Sequence, residues 1–304
     1  MPRVSASLWL AAVAGCSAAS PTVDAPVSEP PDTASAPAVA PNAGPVSAVT
    51  SAAAEPEPDR APEPPAPSPC PTDMVHVRHE YCEQLEHRCI KSEYDKSNRI
   101  TICHQFAEGE KTCRGERRLV DVCVDRYEYP NQKDGHPPVM VDFFGAEQSC
   151  QTAGKRLCLE SEWIAACEGP QEKPFPYGWQ RSAEACNIDN RWIEPNLGRV
   201  YSKDPELQKA ELARLDQGVP SGSRPGCVSD DGVYDLTGNF DEWVRLDKPK
   251  PGAKSKMAGL KGGAWGHVRN ACRPVTTSHA PEFTYYFISF RCCRDPDPAA
   301  PRAE

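Results

Sequence analysis

The chain has 304 residues, a formal net charge of −9, 33 prolines and 15 cysteines. An acidic balance without a basic face argues against nucleic acid as a partner. So many cysteines argue against a reducing compartment.

Arg3 is followed by an apolar run over 8–14 that leads into Val13-Ala14-Gly15-Cys16, the pattern of a bacterial lipobox. The run is too short to span a bilayer, so residues 1–16 read as a lipoprotein signal peptide and not as a transmembrane helix. Cleavage would leave Cys16 as the lipid-bearing first residue. Ser17 behind it, in place of Asp, points to the outer membrane, and so to the cell envelope with membrane contact through the lipid anchor alone. In residues 17–69 more than half of the positions are Ala or Pro, with no aromatic residue. Such a stretch cannot bury a core and reads as a disordered, semi-extended tether.

Residues 70–294 hold the aromatic and cysteine content and suit one domain. Cys16 aside, fourteen cysteines remain, and in an exported protein they predict seven disulfides. No C-x-x-C pair occurs, which disfavours a zinc or iron–sulfur site. Residues 70–123 form a cysteine-rich lead-in whose short runs "DMVHV", "RITIC" and "LVDVCVD" predict strands, with hairpin chemistry at 95–98. A further strand breaks at Pro130. Helix periodicity follows in "FFGAEQSCQTAG", through Phe143, Ala146 and Cys150, and in "ESEWIAACEG", with Trp163, Ile164 and Cys167 on one face. A charged helix is expected in "DPELQKAELARLDQG". Short strands then alternate with long loops, and 295–304 reads as a disordered tail. The pattern is that of an α+β fold, loop-rich and disulfide-rich.

"CVDRYEYPN", "SCQTAGKRLCLESEWIAAC", "PYGW", "ACNIDN", "GVYDLTGNFDEW", "KGGAW" and "FRCC" stand in this order. That succession, over about 74–293, resembles the sulfatase-modifying factor family, to which the formylglycine-generating enzyme belongs. The resemblance implies a loop-rich variant of the C-type lectin fold, with residues 124–294 as its core. It also implies two disulfides, Cys150–Cys292 and Cys167–Cys272. Each closes a loop of over 100 residues, for which chain entropy gives about 4–5 kcal/mol. Cys186–Cys227 and Cys158–Cys293 are further pairings to consider, and the pairing among the lead-in cysteines stays open.

In "DLTGNFDEW", Asp235 and Glu242 flank a Gly-Asn turn and can present oxygens to a hard cation such as structural calcium, or can serve as caps and turn formers. The resemblance assigns calcium there to Asp235, the carbonyls of Gly238 and Phe240, and Glu242. It assigns a second site to Asn187 and Ile188, with Asp216 as the candidate distal acid.

The family's catalytic members hold copper on two cysteines five residues apart, after the Gly-Gly turn. Here the first of those positions is His267. The second is Cys272, which also falls where the family places a structural cysteine and cannot fill both roles. A sibling branch holds iron on three histidines, but the seven histidines of this chain show no i, i+4 pair on a helix. Copper and iron are therefore both disfavoured.

Two readings of "KGGAWGHVRNAC" stand. In one, Trp265 is core, His267 bonds a loop and Arg269 pairs with an acid. In the other, the three line a groove for a peptide or glycan, Trp265 stacking and Arg269 binding an anion. The expected function is a lipid-anchored, non-catalytic binding or assembly module. The alternative is a metal-dependent oxidoreductase of the family with altered active-site residues and a metal at His267.

Overall fold

Alternation of apolar and polar residues sets up the first sheet. The structure, a computed structural model, describes residues 68–299. The signal peptide, Cys16 and most of the tether lie outside the described residues. Strand β1, Met74–Cys82, buries Val75, Val77 and Tyr81 on one face, and strand β4, Arg117–Asp125, buries Val120, Val122 and Val124. The two pair antiparallel along their whole length. Between them, β2 (Leu85–Asp95) and β3 (Ile100–Cys113) form a separate hairpin. At its turn the Asp95 carboxylate accepts from the amides of Ser97 and Asn98, as the turn chemistry at 95–98 predicts.

Helix α1, Phe143–Thr152, starts at Asp142, whose carboxylate accepts from the Gly145 amide at 2.7 Å. It is followed by the short β5, Arg156–Leu157, and by α2, Glu160–Glu168. The periodicity of α2 predicts one buried face, but the helix is buried all round. It tolerates this because each acid has a cation: Glu160 pairs with Lys250, Glu162 with Arg156 and Glu168 with Arg273. A four-residue helix, α3 (Leu197–Val200), precedes α4, Pro205–Leu215, which is capped by Asp204 with Pro at its first position. Strands β6 (Asp241–Arg245), β7 (Ala258–Lys261), β8 (Ile288–Phe290) and β9 (Cys292–Arg294) complete the chain order.

Two core sheets result, β1-β4-β9-β5 and β7-β6-β8. The strands β1 and β4 of the lead-in are thus integral to the main sheet, and α2 packs against both. One core cluster gathers the β1 and β4 valines with Trp163 and Leu236, and a second gathers Phe143, Trp243, Trp265, Phe287 and Phe290. All fourteen described cysteines are paired. The long-range bridges are Cys150–Cys292, Cys158–Cys293 and Cys167–Cys272, with Cys186–Cys227 between them. In the lead-in the pairs are Cys70–Cys123, Cys82–Cys113 and Cys89–Cys103. The start of the expected tail is docked. Asp295 pairs with Arg156, and the Asp297 amide donates to the Pro69 carbonyl. No helix among the described residues is long and apolar enough to cross a membrane.

Replacing Asp142 by Ala should lower the unfolding free energy by about 1 kcal/mol through loss of the α1 cap. Urea titration of the two proteins checks the value.

Candidate functional site

The loop that leaves β7 is fixed from within. Gly263 has φ of 70°, and a Cβ there would stand 2.9 Å from the Asn270 side-chain nitrogen, so no other residue fits without displacing it. Asn270 is fully buried and its amide nitrogen donates to the carbonyls of Gly263 and Ala264 at 2.7 and 3.0 Å. At the base of the loop, Lys261 donates from Nζ to the carbonyls of Cys272 and Arg273, and burial pushes its pKa down to about 7. Arg181 ties the loop from outside, bonding the Asn270 side chain and the His267 carbonyl while pairing with Asp189. Cys272 is joined to the α2 residue Cys167 and has no exposed surface. No thiol is offered at this loop.

The three groove candidates separate. Trp265 is 3% exposed and packs edge-on against Phe240 and Phe287, so it is a core residue and not a stacking platform. Directly after Gly262-Gly263 the chain turns inward, burying Ala264 and Trp265 against Phe240, Tyr286 and Phe287. His267 is half-buried. Its Nδ1 stands 3.0 Å from an oxygen of Asp241, and its ring meets Phe287 edge-on at 4.5 Å. Burial opposes charge on this imidazole, but the Asp241 carboxylate outweighs it and raises the His267 pKa above the usual 6.5. Arg269 is the exposed member, donating to Thr276 Oγ1 at 2.9 Å.

Arg269 also borders a cavity of about 250 Å³ whose opposite wall is the β2–β3 hairpin. The hairpin reaches across because its own backbone docks on the "PYGW" loop: Phe106 N donates to the Trp179 carbonyl, and Arg181 N to the His104 carbonyl. The periodic strand signal marks this hairpin, but nothing in the sequence tells that it forms one side of a cleft. Asp241 and Asn270 lie inside "DLTGNFDEW" and "KGGAWGHVRNAC" but have no role assigned by them, and Arg181 stands outside the motifs, two residues after "PYGW".

The calcium candidates lie in a buried ionic cluster. Glu242 accepts two bonds from the Arg291 guanidinium, at 2.6 and 2.7 Å, and one from the Trp163 indole at 2.8 Å. Asp235 accepts from the Gly222 amide, and burial raises its pKa to about 6. Beside them Glu128, which stands in "CVDRYEYPN" with no role assigned to it there, bonds Ser221 and Asn239 and is driven well above the usual carboxylate range by burial, then by Asp235 and Glu242. Three buried carboxylates thus share one guanidinium, an imbalance that suits a further cation. Against that, the Glu242 carboxylate is already committed to Arg291. Among the described residues, no three Asp, Glu, His or Cys side chains are grouped as metal ligands. Gly238 belongs with the second candidate set in space: a Cβ on it would lie 2.4 Å from the Asn187 carbonyl oxygen and 2.5 Å from Ile188. The Asn187 carbonyl accepts from the Asn239 amide, and the Phe240 ring is buried beside Trp265. Asp216 is half-exposed, accepting from the Gly218 amide and facing His136 at 3.1 Å.

The His267–Asp241 pair should give a stability contribution present in full below pH 6.5, the unfolded histidine value, and lost as pH rises through the higher folded value. His267→Gln should therefore cost about 1 kcal/mol at pH 5.5 and little at pH 9. Urea unfolding of both proteins across that range checks the sign.

A model of the sulfatase-modifying factor enzyme 1-like domain matches residues 80–296. The formylglycine-generating enzyme of Mus musculus is 25% identical over 189 residues, covering 55% of this chain and 46% of that protein. The formylglycine-generating enzyme of Mycobacterium tuberculosis is 28% identical over 186 residues, 53% of this chain and 58% of that protein. A third relative, the inactive C-alpha-formylglycine-generating enzyme 2 of Bos taurus, is 29% identical over 164 residues, 51% of this chain and 49% of that protein. The chain spans about half the length of the curated relatives it matches. Among solved structures, CarF aligns with a TM-score of 0.44 at 15% identity, over 75% of this chain and 99% of that one. PvdO from Pseudomonas aeruginosa aligns with 0.41 at 17% identity, over 75% and 97%. With the family model matching well over half of its length, the chain belongs to the sulfatase-modifying factor family.

Proposed function

We propose that this chain is a lipid-anchored, extracytoplasmic binding or assembly module of the family and not a formylglycine-forming enzyme. The observation that carries the reading is the state of the thiols. The copper chemistry implied for catalytic members needs two free thiolates in the loop after the Gly-Gly turn. In this chain His267 occupies one of those positions, and Cys272 is bonded to Cys167. The other twelve described cysteines are bonded as well, which leaves no thiol to recruit among the described residues. That one of the relatives is itself named as inactive accords with this. The anchor rests on the lipobox at Cys16 and the proline-rich tether, and with them the cell envelope and its outer membrane.

Structural calcium belongs to the same reading. Its support is the charge imbalance around Arg291, where Glu128, Asp235 and Glu242 are all buried. Carboxylates in such surroundings are stabilised either by a proton or by a cation.

Titration of thiols in the denatured, unreduced protein should find none, and metal analysis should find neither copper nor iron. Two free thiols with stoichiometric copper, or stoichiometric iron, would establish the oxidoreductase reading instead. Cys16→Ser should release the protein from membranes, and retention would contradict the anchor. A chelator of divalent ions should lower the melting temperature at pH 7 by several degrees, an effect that Asp235→Asn should reduce. An unchanged melting curve would leave Arg291 and protons as the sole neutralising groups.

A further inference from the structure

The strongest unassigned feature is the cavity of about 250 Å³ between the β2–β3 hairpin and the loop on either side of Cys272. Most of its wall is apolar: Leu85, Ile100, Ile102 and Phe106 come from the hairpin, with Phe175 and Val268 opposite. A second cavity of about 370 Å³ adjoins it, and Ile100, Arg269 and Pro274 line both. The walls are held in place covalently. Cys89–Cys103 staples the hairpin across its strands and Cys82–Cys113 fixes its root, while Cys167–Cys272 pins the facing loop. A site built this way loses little entropy when it takes a ligand.

Three arginines border the first cavity, and they are not equivalent. Arg181 is neutralised by Asp189, and Arg273 by the two oxygens of Glu168. Arg269 is exposed, bonds only the neutral hydroxyl of Thr276, and forms no ion pair among the described residues. One uncompensated guanidinium therefore stands where a largely apolar cavity meets a more polar one lined by Thr277 and Ser278. A guanidinium fork is matched by a planar anion of two oxygens, and an apolar chamber behind it is matched by a hydrocarbon tail. A sugar, with hydroxyls on every face, would leave its donors unpaired on Leu85, Ile102 and Phe106.

We infer that the cleft between the hairpin and the loop binds a small apolar carboxylic acid, its tail against Ile102 and Phe106 and its carboxylate on Arg269. This rests on the binding-module reading and names the chemical class of its ligand.

Octanoate serves as the probe and 1-octanol as its neutral counterpart, both titrated calorimetrically into the full chain. Octanoate should bind with one-to-one stoichiometry, and octanol at least about tenfold more weakly. Arg269→Gln, at an exposed position, should weaken octanoate by roughly ten- to hundredfold and leave octanol unchanged. Ile102→Trp should abolish both by filling the chamber, with circular dichroism confirming that the variant is folded. Absence of octanoate binding at millimolar concentration would overturn the proposal, as would equal affinity for octanol or indifference to both substitutions. The thiol and metal counts are independent of this titration. If octanoate fails to bind a protein free of thiols, copper and iron, the ligand class alone is wrong; if thiols and copper are found, the non-catalytic reading is wrong whatever octanoate does.

Discussion

The pairing of Arg291 with Glu242 is the interaction on which the two core sheets depend. Strands β8 and β9 belong to different sheets and are separated in sequence by Arg291 alone. A guanidinium at that point, buried and bonded to Glu242 as well as to the carbonyls of Asp125 and Tyr234, turns the chain from one sheet into the other. The two cysteines that follow are covalently bound to α1 and to the start of α2's approach, so the crossing is locked on its far side too. Removing one partner of a buried pair leaves the other charged in a dry interior, at a cost of about 3–5 kcal/mol. That cost is what makes the crossing point specific.

The same economy governs the loop after β7. Its shape comes from one buried asparagine reading three consecutive carbonyls, one buried lysine reading two more, and a disulfide. Groups that in isolation look reactive are spent on backbone oxygens or on each other. What stays available at the surface of the loop is the Arg269 guanidinium beside a largely apolar chamber, with His267 half-buried against Asp241.

Much of this was legible in the sequence because it is local. The turn at 95–98, the alternating valines of β1 and β4 and the helical spacing of Phe143, Ala146 and Cys150 are set by neighbours a few residues away, and local pattern reports them directly. The motifs that carry the family were equally plain. What the sequence hid is the set of pairings across long separations: Asp241 with His267, Glu128 with Asn239, and the hairpin with the "PYGW" loop. Nothing in a residue's own surroundings says which distant charge will neutralise it. Trp265 shows the converse, since an aromatic in a candidate groove and an aromatic in a core look identical until burial is known. Arg291 did leave a sign, a lone cation within the apolar run "FISFRCC".

The Cys70–Cys123 bridge has a mechanical meaning. Strand β1 lies at the edge of the main sheet, and an edge strand pulled from its end is normally unzipped one hydrogen bond at a time. A pull arriving from the N-terminal side reaches Cys70 first and passes through sulfur into β4, an interior strand. The load is then shared along the sheet as shear, and β1 hangs outside its path. A domain attached in this way keeps its edge strand under tension, whatever the segment before Cys70 is fastened to.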